Sequence, residues 1–387
     1  MIKHIFKLIW NKKRSNALML LEILLAFIVL FFVLAYMFFN IDKTSQPLGF
    51  ETENRWMINL DNIDAKDSLD ALITMQNLKR NLLAEEEIES VTFTESIAPF
   101  SNNQWHDGTD EAGFSMNSRV VPADNVFADL MGMNLVEGKW FTEEDNDAVI
   151  RPMIVNKNFV DEYYPGKSMI DSIILYHGER RLIGVVEEYR YGGEFEEAYN
   201  VRFDPEPYTD LMSNAIIKVK PGTTMAYAEK LSNLINTTTK TTGSSIQSLD
   251  KRKTASSKES WVLLYALMSV CIFLCLNVAL GLFGVLWYNI NKRKAEIGLR
   301  QALGADGFDI TKQFITEMLI LTGFALAVGI LFVIQIPLLD VTEYEDSLFY
   351  RAIIYSSLIM LALVMLCALF PALQAARITP ANSLHED

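Results

Sequence analysis

Four long apolar stretches constrain this chain more than any other feature of its sequence. Each is long enough for an α-helix to cross the hydrocarbon core of a bilayer, which takes about 20 residues. They predict transmembrane helices over residues 17–39, 261–290, 314–338 and 352–373. The second would be about 45 Å long as a helix, so we expect it to project beyond the membrane. The sequence therefore predicts a helical membrane protein with a large segment between its first two spans.

Lysine and arginine predict the orientation of these spans. The segments before the first span and after the second are basic, whereas the one after the third is acidic apart from Arg351. The positive-inside rule then assigns each segment to a side: the amphipathic lead-in 1–16, the loop 291–313 and the tail 374–387 to the cytoplasm, and 40–260 and 339–351 to the outside. No small-residue cleavage site follows the first span, which predicts a retained anchor in the inner membrane.

Acidic charge is concentrated in the segment between the first two spans. Residues 42–258 contain 22 Lys and Arg against 36 Asp and Glu, and 22 − 36 gives −14, the net charge of the whole chain. Binding to nucleic-acid phosphates requires a basic face, so the composition argues against a nucleic-acid partner.

Both ends of this segment predict an α/β domain. The pattern is strand–helix–strand at the start and strand–helix at the end, over residues 56–60, 68–84, 88–95, 214–220 and 223–235. We expect one sheet with helices on a face. On this reading 40–96 and 210–258 form a membrane-proximal part, and 97–209 is an inserted distal part of short strands. Residues 237–257, rich in Ser, Thr, Lys and Gly, predict an irregular approach to the second span.

The basic stretch after the second span reads NKRKAEIGLRQALGA over residues 291–305. Read as a helix, it has one apolar stripe formed by Ala295, Leu299, Ala302 and Leu303. Glu296 precedes Arg300 at the favourable i, i+4 spacing, and Gly304 follows where helices commonly end. These features predict a short amphipathic helix at the membrane surface. The alternative is a positively charged loop that only fixes topology.

Several motifs in this chain resemble one known family. The run RKAEIGLRQALGA, followed by Glu317 in TKQFITEMLIL, resembles the signature of FtsX-like permeases, the membrane subunits of MacB-type ABC transporters. The ending ALFPALQAARITPANSLHED resembles the closing pattern of that family. The runs EGKWFTEED, IVNKNFVDEYYPGK and LIGVVEEYR resemble the MacB-type periplasmic core domain. Two mild departures are Lys139, where the family usually has Arg, and Glu188 at the end of the loose GVVxD pattern.

The resemblance implies a fold and a function. The fold is a helical membrane protein with four transmembrane helices and a large extracytoplasmic α+β domain between the first two. The function is mechanotransmission: a separate ABC ATPase binds ATP and Mg, and its movement is passed to the extracytoplasmic domain. The cargo would be hydrophobic or amphipathic, such as a drug, a peptide or a lipoprotein. The chain itself would hold no cofactor.

The resemblance also implies partners and coupling residues. A second permease copy or paralogue would form a dimer, while a periplasmic adaptor and an outer-membrane channel are left open. The residues expected to couple the permease to the ATPase are Arg293, Glu296, Ile297, Gly298, Leu299, Arg300, Leu303 and Gly304.

Two other functions remain open from the sequence. One is an FtsX-like regulator that activates an extracytoplasmic partner, such as a cell-wall hydrolase, without transporting cargo. The other is an intramembrane enzyme that uses Glu22 and Glu317, because carboxylates inside a membrane are often functional. In the permease interpretation the same two residues are candidates for intramembrane coupling. Both residues lie near the same predicted membrane edge. A structural alternative is that each carboxylate only pairs with a neighbouring cation, which for Glu317 would be Lys312 or Arg300.

Common catalytic and metal sites are not predicted. The run Pro165-Gly166-Lys167-Ser168 lacks the first glycine of a P-loop, because Asp161 stands in its place. The histidines are scattered and have no cysteine companions, which argues against a zinc site. The sequence therefore predicts a permease subunit without catalytic residues.

Overall fold

The computed structural model of the protein describes residues 13–60, 67–95, 97–101, 103–205, 213–240, 244–339 and 344–376. The chain forms two compact units. One contains the residues up to Asp42 and from Val262 onward, and the other is Lys43–Trp261. Most of the predicted lead-in and the tail after Ala376 lie outside the described residues.

The described chain contains both helices and strands. The helices are α1 Lys13–Ser45, α2 Ser68–Leu83, α3 Phe127–Met131, α4 Lys157–Tyr163, α5 Tyr227–Thr239, α6 Leu249–Lys292, α7 Lys294–Ala302, α8 Gly307–Val333, α9 Gln335–Leu338 and α10 Asp346–Ala376. The strands are β1 Arg55–Asn59, β2 Ile88–Thr94, β3 His106–Thr109, β4 Met116–Ala123, β5 Leu135–Gly138, β6 Arg151–Asn156, β7 Ile173–Leu175, β8 Glu179–Val186, β9 Val201–Pro205, β10 Asn214–Val219 and β11 Ser245–Ser248.

The first unit is a bundle of apolar helices. Among the described residues, four segments are long and apolar enough to cross a membrane: residues 17–45 of α1, all of α6, 307–338 over α8 and α9, and all of α10. Each predicted span lies within one of them. The segments extend beyond the predictions because helix caps and polar turns continue past the apolar residues. The start of α8 shows this, since the Asp306 carboxylate accepts a hydrogen bond from the backbone N–H of Asp309 at 2.8 Å.

The core of the bundle is filled by side chains from all four long helices. Phe27 of α1 is fully buried, as are Leu282 of α6 and Met360 of α10. A side chain at Gly329 of α8 would collide with the Phe27 ring, so the glycine allows close approach of α1 and α8. Arg351 forms an ion pair with Asp42, which ties the start of α10 to the end of α1.

Helix α6 begins earlier than the sequence predicts. The stretch 237–257 was expected to be irregular, but it contains the end of α5, strand β11 and the first turns of α6. That expectation is wrong because packing overrides the weak helix propensity of Ser and Thr. Leu249 is fully buried in the core of the α+β unit, and the hydroxyl of Thr254 bonds the carbonyl of Asp250 at 2.9 Å. The result is one helix of 44 residues.

The second unit contains two sheets. The smaller is antiparallel, with strand order β11-β1-β10-β2, and helices α2 and α5 cover one face. Leu78 of α2 and Ile235 of α5 are fully buried in this layer. The strands and helices predicted at the two ends of the segment therefore meet in one sheet, because each end alone has too little apolar surface to bury.

The larger sheet has seven strands and is mixed. Its order is β3-β4-β9-β6-β8-β5, with β7 also paired to β8. The β4–β9 and β6–β8 pairs are parallel and the other pairs are antiparallel. These strands all lie between residues 106 and 205, where the sequence predicts short strands. The protein is thus a four-helix membrane protein with an α+β domain between its first two apolar helices.

Candidate coupling site around helix α7

Helix α7 is connected to α6 by one residue. α6 ends at Lys292 and α7 begins at Lys294, so the chain turns sharply at Arg293. Gly304, just after α7, has a φ of 100°, a conformation that glycine adopts without strain. The predicted stop is therefore observed, and α7 is a separate short helix held between two long ones.

The inner face of α7 packs on the ends of the long helices. Ile297 and Gly298 are buried. The apolar cluster around Ile297 contains residues from α6, α8 and α10: Ile290, Ile310, Phe314, Ala372 and Ala375. Ile297 therefore packs α7 onto the ends of these three helices.

A network of charged and amide side chains joins α7 to α8. We call it the coupling network: Arg293, Glu296, Arg300, Gln313 and Glu317. Arg293 pairs with Glu296 and with Glu317, each at 3.1 Å. Glu296 also pairs with Arg300 at 2.7 Å, the i, i+4 contact that the spacing predicts. Gln313 closes the network, because it accepts from Arg300 at 2.5 Å and donates to Glu317 at 3.0 Å.

The partner of Glu317 differs from the one expected. The sequence suggested Lys312 or Arg300, whereas the Glu317 carboxylate contacts Arg293 directly and reaches Arg300 only through Gln313. Burial lowers the pKa of the Arg293 guanidinium, but the two carboxylates outweigh that effect and raise it above its ordinary value. Arg293 therefore stays charged, and it also lies over the Phe314 ring at 5.3 Å.

The outer face of α7 is apolar and exposed. All four residues of the predicted stripe, Ala295, Leu299, Ala302 and Leu303, are exposed. Leu299 is 56% exposed and Leu303 is 80% exposed, and Phe308 at the start of α8 adds a side chain that is 71% exposed. Phe308 was missed by the sequence reading because it lies beyond Gly304 and outside the periodic run. We call Leu299, Leu303 and Phe308 the outer apolar face.

The end of α10 lies beside this site. Gln301 donates a hydrogen bond to the carbonyl of Ala376 at 3.1 Å, and Thr311 donates to the carbonyl of Ala372 at 3.4 Å. The predicted second surface, from Ala376 onward, lies outside the described residues apart from Ala376 itself. The described end of the chain is nevertheless next to α7.

Two protein-family models match the chain. The MacB-like periplasmic core domain matches residues 18–233, more than half of the chain, and the FtsX-like permease C-terminal model matches residues 267–380. The chain belongs to the MacB-type, FtsX-like permease family. The second match contains α7 and the whole coupling network.

Curated relatives of this MacB-type permease are larger proteins. The macrolide export ATP-binding/permease protein MacB of Pectobacterium atrosepticum is 27% identical over 293 residues, which cover 70% of this chain and 44% of the relative. Its counterpart in Chromobacterium violaceum is 26% identical over 291 residues, with 70% and 43% covered. The matched part of the chain thus spans less than half of each relative.

Solved structures also resemble the permease. The periplasmic region of MacB from Actinobacillus actinomycetemcomitans has a TM-score of 0.39 at 14% identity, over 55% of this chain and 97% of that one. A domain of a Porphyromonas gingivalis permease protein has a TM-score of 0.34 at 11% identity, over 51% of this chain and 92% of that one.

The structure does not bring Glu22 and Glu317 of the permease together. Glu22 lies against Gly281 of α6, where an added side chain would collide with its carboxylate. Glu317 lies against Arg293. The residues that the two glutamates contact, Gly281 and Arg293, are twelve positions apart, which corresponds to about 18 Å along a helix. The expectation of a shared intramembrane site is therefore wrong, because helix packing places the two carboxylates at different depths.

Metal-ligand clusters and disulfide bonds are absent from the part of the chain that the structure describes. No group of three or more His, Cys, Asp or Glu side chains there is arranged to hold a metal ion. Cys271, Cys275 and Cys367 are free thiols in the long helices.

Proposed function

We propose that this chain is the membrane subunit of an ABC transporter and binds a cytoplasmic ATPase subunit through α7 and the start of α8. In this proposal both termini and α7 are cytoplasmic, and the α+β unit is extracytoplasmic. The ATPase, on a separate chain, binds ATP and Mg. A second permease copy or paralogue completes the membrane part.

The outer apolar face is the observation that carries this proposal. Leu299, Leu303 and Phe308 are exposed, while the opposite face of α7 is fixed by the buried Ile297 and by the coupling network. A helix held in this way presents an apolar surface without having to order it on binding, which lowers the cost of association. Burying one leucine side chain contributes about 1.5–3 kcal/mol.

The continuity of α6 supports mechanotransmission. This helix has 44 residues, so it is about 66 Å long. Its last residue is separated from α7 by Arg293 alone, and its first residue, Leu249, is buried in the core of the α+β unit. Movement of α7 by the ATPase would therefore act on one continuous helix whose first residue belongs to that unit.

The exposed surface of α6 supports a second permease. Only 17% of its apolar window is buried, a smaller share than in the other three spans. Packing with a second permease would use this surface in a symmetric or pseudo-symmetric dimer. A periplasmic adaptor and an outer-membrane channel are further partners that the experiment below can detect.

The regulator alternative requires a readout of cargo rather than a domain deletion. Removing residues 97–209 would expose Phe50, Met57 and Ile216, which share a core with that segment. The loss of activity in such a deletion would reflect unfolding. Stimulation of the ATPase by amphipathic compounds favours a transporter, whereas a regulator without cargo would show none.

The docking proposal is tested by co-purification from native membranes. Tagged wild type is compared with Leu303→Asp and Phe308→Asp, each combined with an ATPase assay. We expect the amount of co-purified ATPase subunit to be at least tenfold lower for each variant than for the wild type. The reason is that burying an aspartate in an apolar interface without a partner is costly. Mass spectrometry of the wild-type sample also identifies a second permease, an adaptor or a channel.

Leu339→Asp is the matched control for this experiment. Leu339 is 68% exposed and follows α9, about 48 Å along the same span from the start of α8. The Leu339→Asp variant carries the same added charge at a similarly exposed position, and it should still co-purify with the ATPase subunit. Equal loss in all three variants would reject α7 as the docking site, and the absence of any ATPase in the wild-type sample would reject the transporter.

A further inference from the structure

A polar cleft lies within the α+β unit, beside the segment that follows α1. It has a volume of about 520 Å³. Its lining combines carboxylates, small polar side chains and apolar side chains: Thr44, Gln46, Pro47, Leu48, Phe50, Glu51, Thr52, Glu53, Glu194 and Lys253. Thr44 belongs to the last turn of α1 and Lys253 to the first turns of α6. The cleft thus lies on the stretches by which both membrane helices join the α+β unit.

A buried arginine fixes two walls of the cleft. Arg190 is 1% exposed, and its guanidinium donates to four backbone carbonyls. Two of them belong to Lys43, in the last turn of α1, and to Gln46, which lines the cleft, at 2.9 and 3.1 Å. The other two belong to Glu194, which also lines the cleft, and to Glu196, at 2.6 and 2.5 Å. Since these bonds satisfy backbone groups in both walls, the width of the cleft is set before any ligand binds.

A second buried arginine fixes the third wall. Arg55 pairs with the Glu51 carboxylate at 2.6 Å and donates to the Glu53 carbonyl at 2.7 Å. Its Nε also donates to the carbonyl of Leu130 at 2.9 Å. We call Arg55 and Arg190 the arginine anchors. A cleft held at all its walls binds a ligand with little ordering cost.

The charges in the cleft favour a cation. Two of its three glutamates already have partners, because Glu51 pairs with Arg55 and Glu194 pairs with Lys253 at 2.6 Å. The third, Glu53, is exposed and forms no ion pair with the residues that the structure describes. The whole region is acidic, which raises the local concentration of cations.

The remaining lining provides an apolar surface. Phe50 packs in an aromatic cluster with Phe100 and Tyr189, and its ring is held in place. Leu48 and Pro47 continue this surface towards the end of α1. A ligand with both a cationic and an apolar part would satisfy Glu53 and this surface together.

We propose that this cleft binds a cationic amphiphile, with its ammonium group at Glu53 and its apolar part against Pro47 and Leu48, which lie over the buried Phe50 ring. This inference rests on the proposed function, because it names the substrate class of the permease. The ammonium group can belong to a free amphiphile or to a lipid headgroup. In either case, occupancy contacts the segment that joins α1 to the α+β unit.

Binding is measured on the full purified chain in maltoside micelles with three fluorescent probes. Each has a dansylaminoundecyl chain, which ends in an amine, an acetamide or a carboxylate. We expect the amine probe to bind at least tenfold more tightly than the other two, because only it forms a charge-assisted hydrogen bond with Glu53. Equal binding of all three probes would overturn the proposal.

Two substitutions with opposite effects locate the site. Glu53→Gln should weaken binding of the amine probe about tenfold. Lys253→Gln should strengthen it about threefold, because it frees the Glu194 carboxylate, and structural damage would not produce that gain. Glu86→Gln removes the same charge at an exposed position after α2 and should leave binding unchanged. If Glu86→Gln weakens binding as much as Glu53→Gln, the acidic surface and not the cleft binds the probe.

Lipid competition identifies the source of the ammonium group. Phosphatidylethanolamine that displaces the amine probe, when phosphatidylglycerol does not, assigns the cleft to a lipid headgroup. Displacement by neither lipid assigns it to a free amphiphile. The binding assay does not use the ATPase subunit. A negative result for probe binding therefore leaves the docking proposal standing, and a negative result for docking leaves the probe-binding result standing.

Discussion

The coupling network and the arginine anchors use the same kind of residue in different ways. In the coupling network, Arg293 and Arg300 bond to side chains that lie within 24 positions along the chain. The arginine anchors bond mainly to backbone carbonyls, and Arg190 reaches residues 144 and 147 positions away. The network is a contact between side chains on neighbouring helices, whereas the anchors hold the main chain of distant segments in place.

This difference predicts which substitutions can be compensated. A side-chain pair can be exchanged or reversed, because both partners can be replaced together. A backbone carbonyl cannot be replaced, so losing its donor leaves a buried acceptor without a partner. Substitutions of the arginine anchors should therefore cost more stability than substitutions of the coupling network.

Arg190→Met should produce the largest loss of stability. Methionine fills a similar volume but removes the guanidinium from all four carbonyls, of which the Lys43 carbonyl keeps the Gln46 N–H at 3.2 Å. We expect the free energy of unfolding of the α+β unit to fall by about 3–5 kcal/mol. The measurement is thermal unfolding of the full chain by tryptophan fluorescence, which reports on Trp56 and Trp140 in this unit. Arg80→Met, at an exposed position on α2, is the control and should change the midpoint little. Similar midpoints for the two variants would contradict the role of Arg190.

A double-mutant cycle at Arg293 and Glu317 should show a smaller and compensable effect. We expect a coupling energy of about 1–2 kcal/mol, because both side chains are mostly shielded and 3.1 Å apart. The measurement is thermal unfolding in detergent of Arg293→Gln, Glu317→Gln and their combination. The reversed pair, Arg293→Glu with Glu317→Arg, should recover part of the loss. Additive effects of the single variants would show that the pair is not coupled.

The smallest effect concerns acid stability of the α+β unit. Asp107 pairs with Arg202 at 2.9 Å and with His177 at 2.7 Å. Burial alone would raise the pKa of Asp107, but these two partners outweigh it and lower the pKa below its ordinary value. A carboxylate with a lowered pKa in the folded state adds stability above its unfolded pKa, near 3.9, and that stability is lost as the pH falls further.

Asp107→Asn should therefore remove part of this pH dependence. Between about pH 6 and pH 3 the wild type should lose about 1 kcal/mol more than the variant, or roughly 2–4 °C in the unfolding midpoint. The measurement is the unfolding midpoint across that range. Asp110→Asn, in the turn after β3, is the matched control. Parallel curves for wild type and Asp107→Asn would show that this carboxylate does not contribute.

Features that depend on local periodicity could be predicted from the amino-acid sequence. The four apolar spans, the strands and helices at both ends of the α+β unit, the stripe on α7 and the Glu296–Arg300 pair all follow from spacing within a single element. Such spacing is visible in the sequence because a helix or strand repeats its faces every few residues. The family signature lies in the same local stretches.

Features that join distant residues could not be predicted from the sequence and come from the tertiary structure. It assigned Arg293 to Glu317, exposed Phe308 beside the α7 stripe, separated Glu22 from Glu317 and began α6 at Leu249. The cleft and its arginine anchors belong to the same class. No periodic pattern encodes them, because each depends on which segments meet after folding and on which buried polar groups then need a partner.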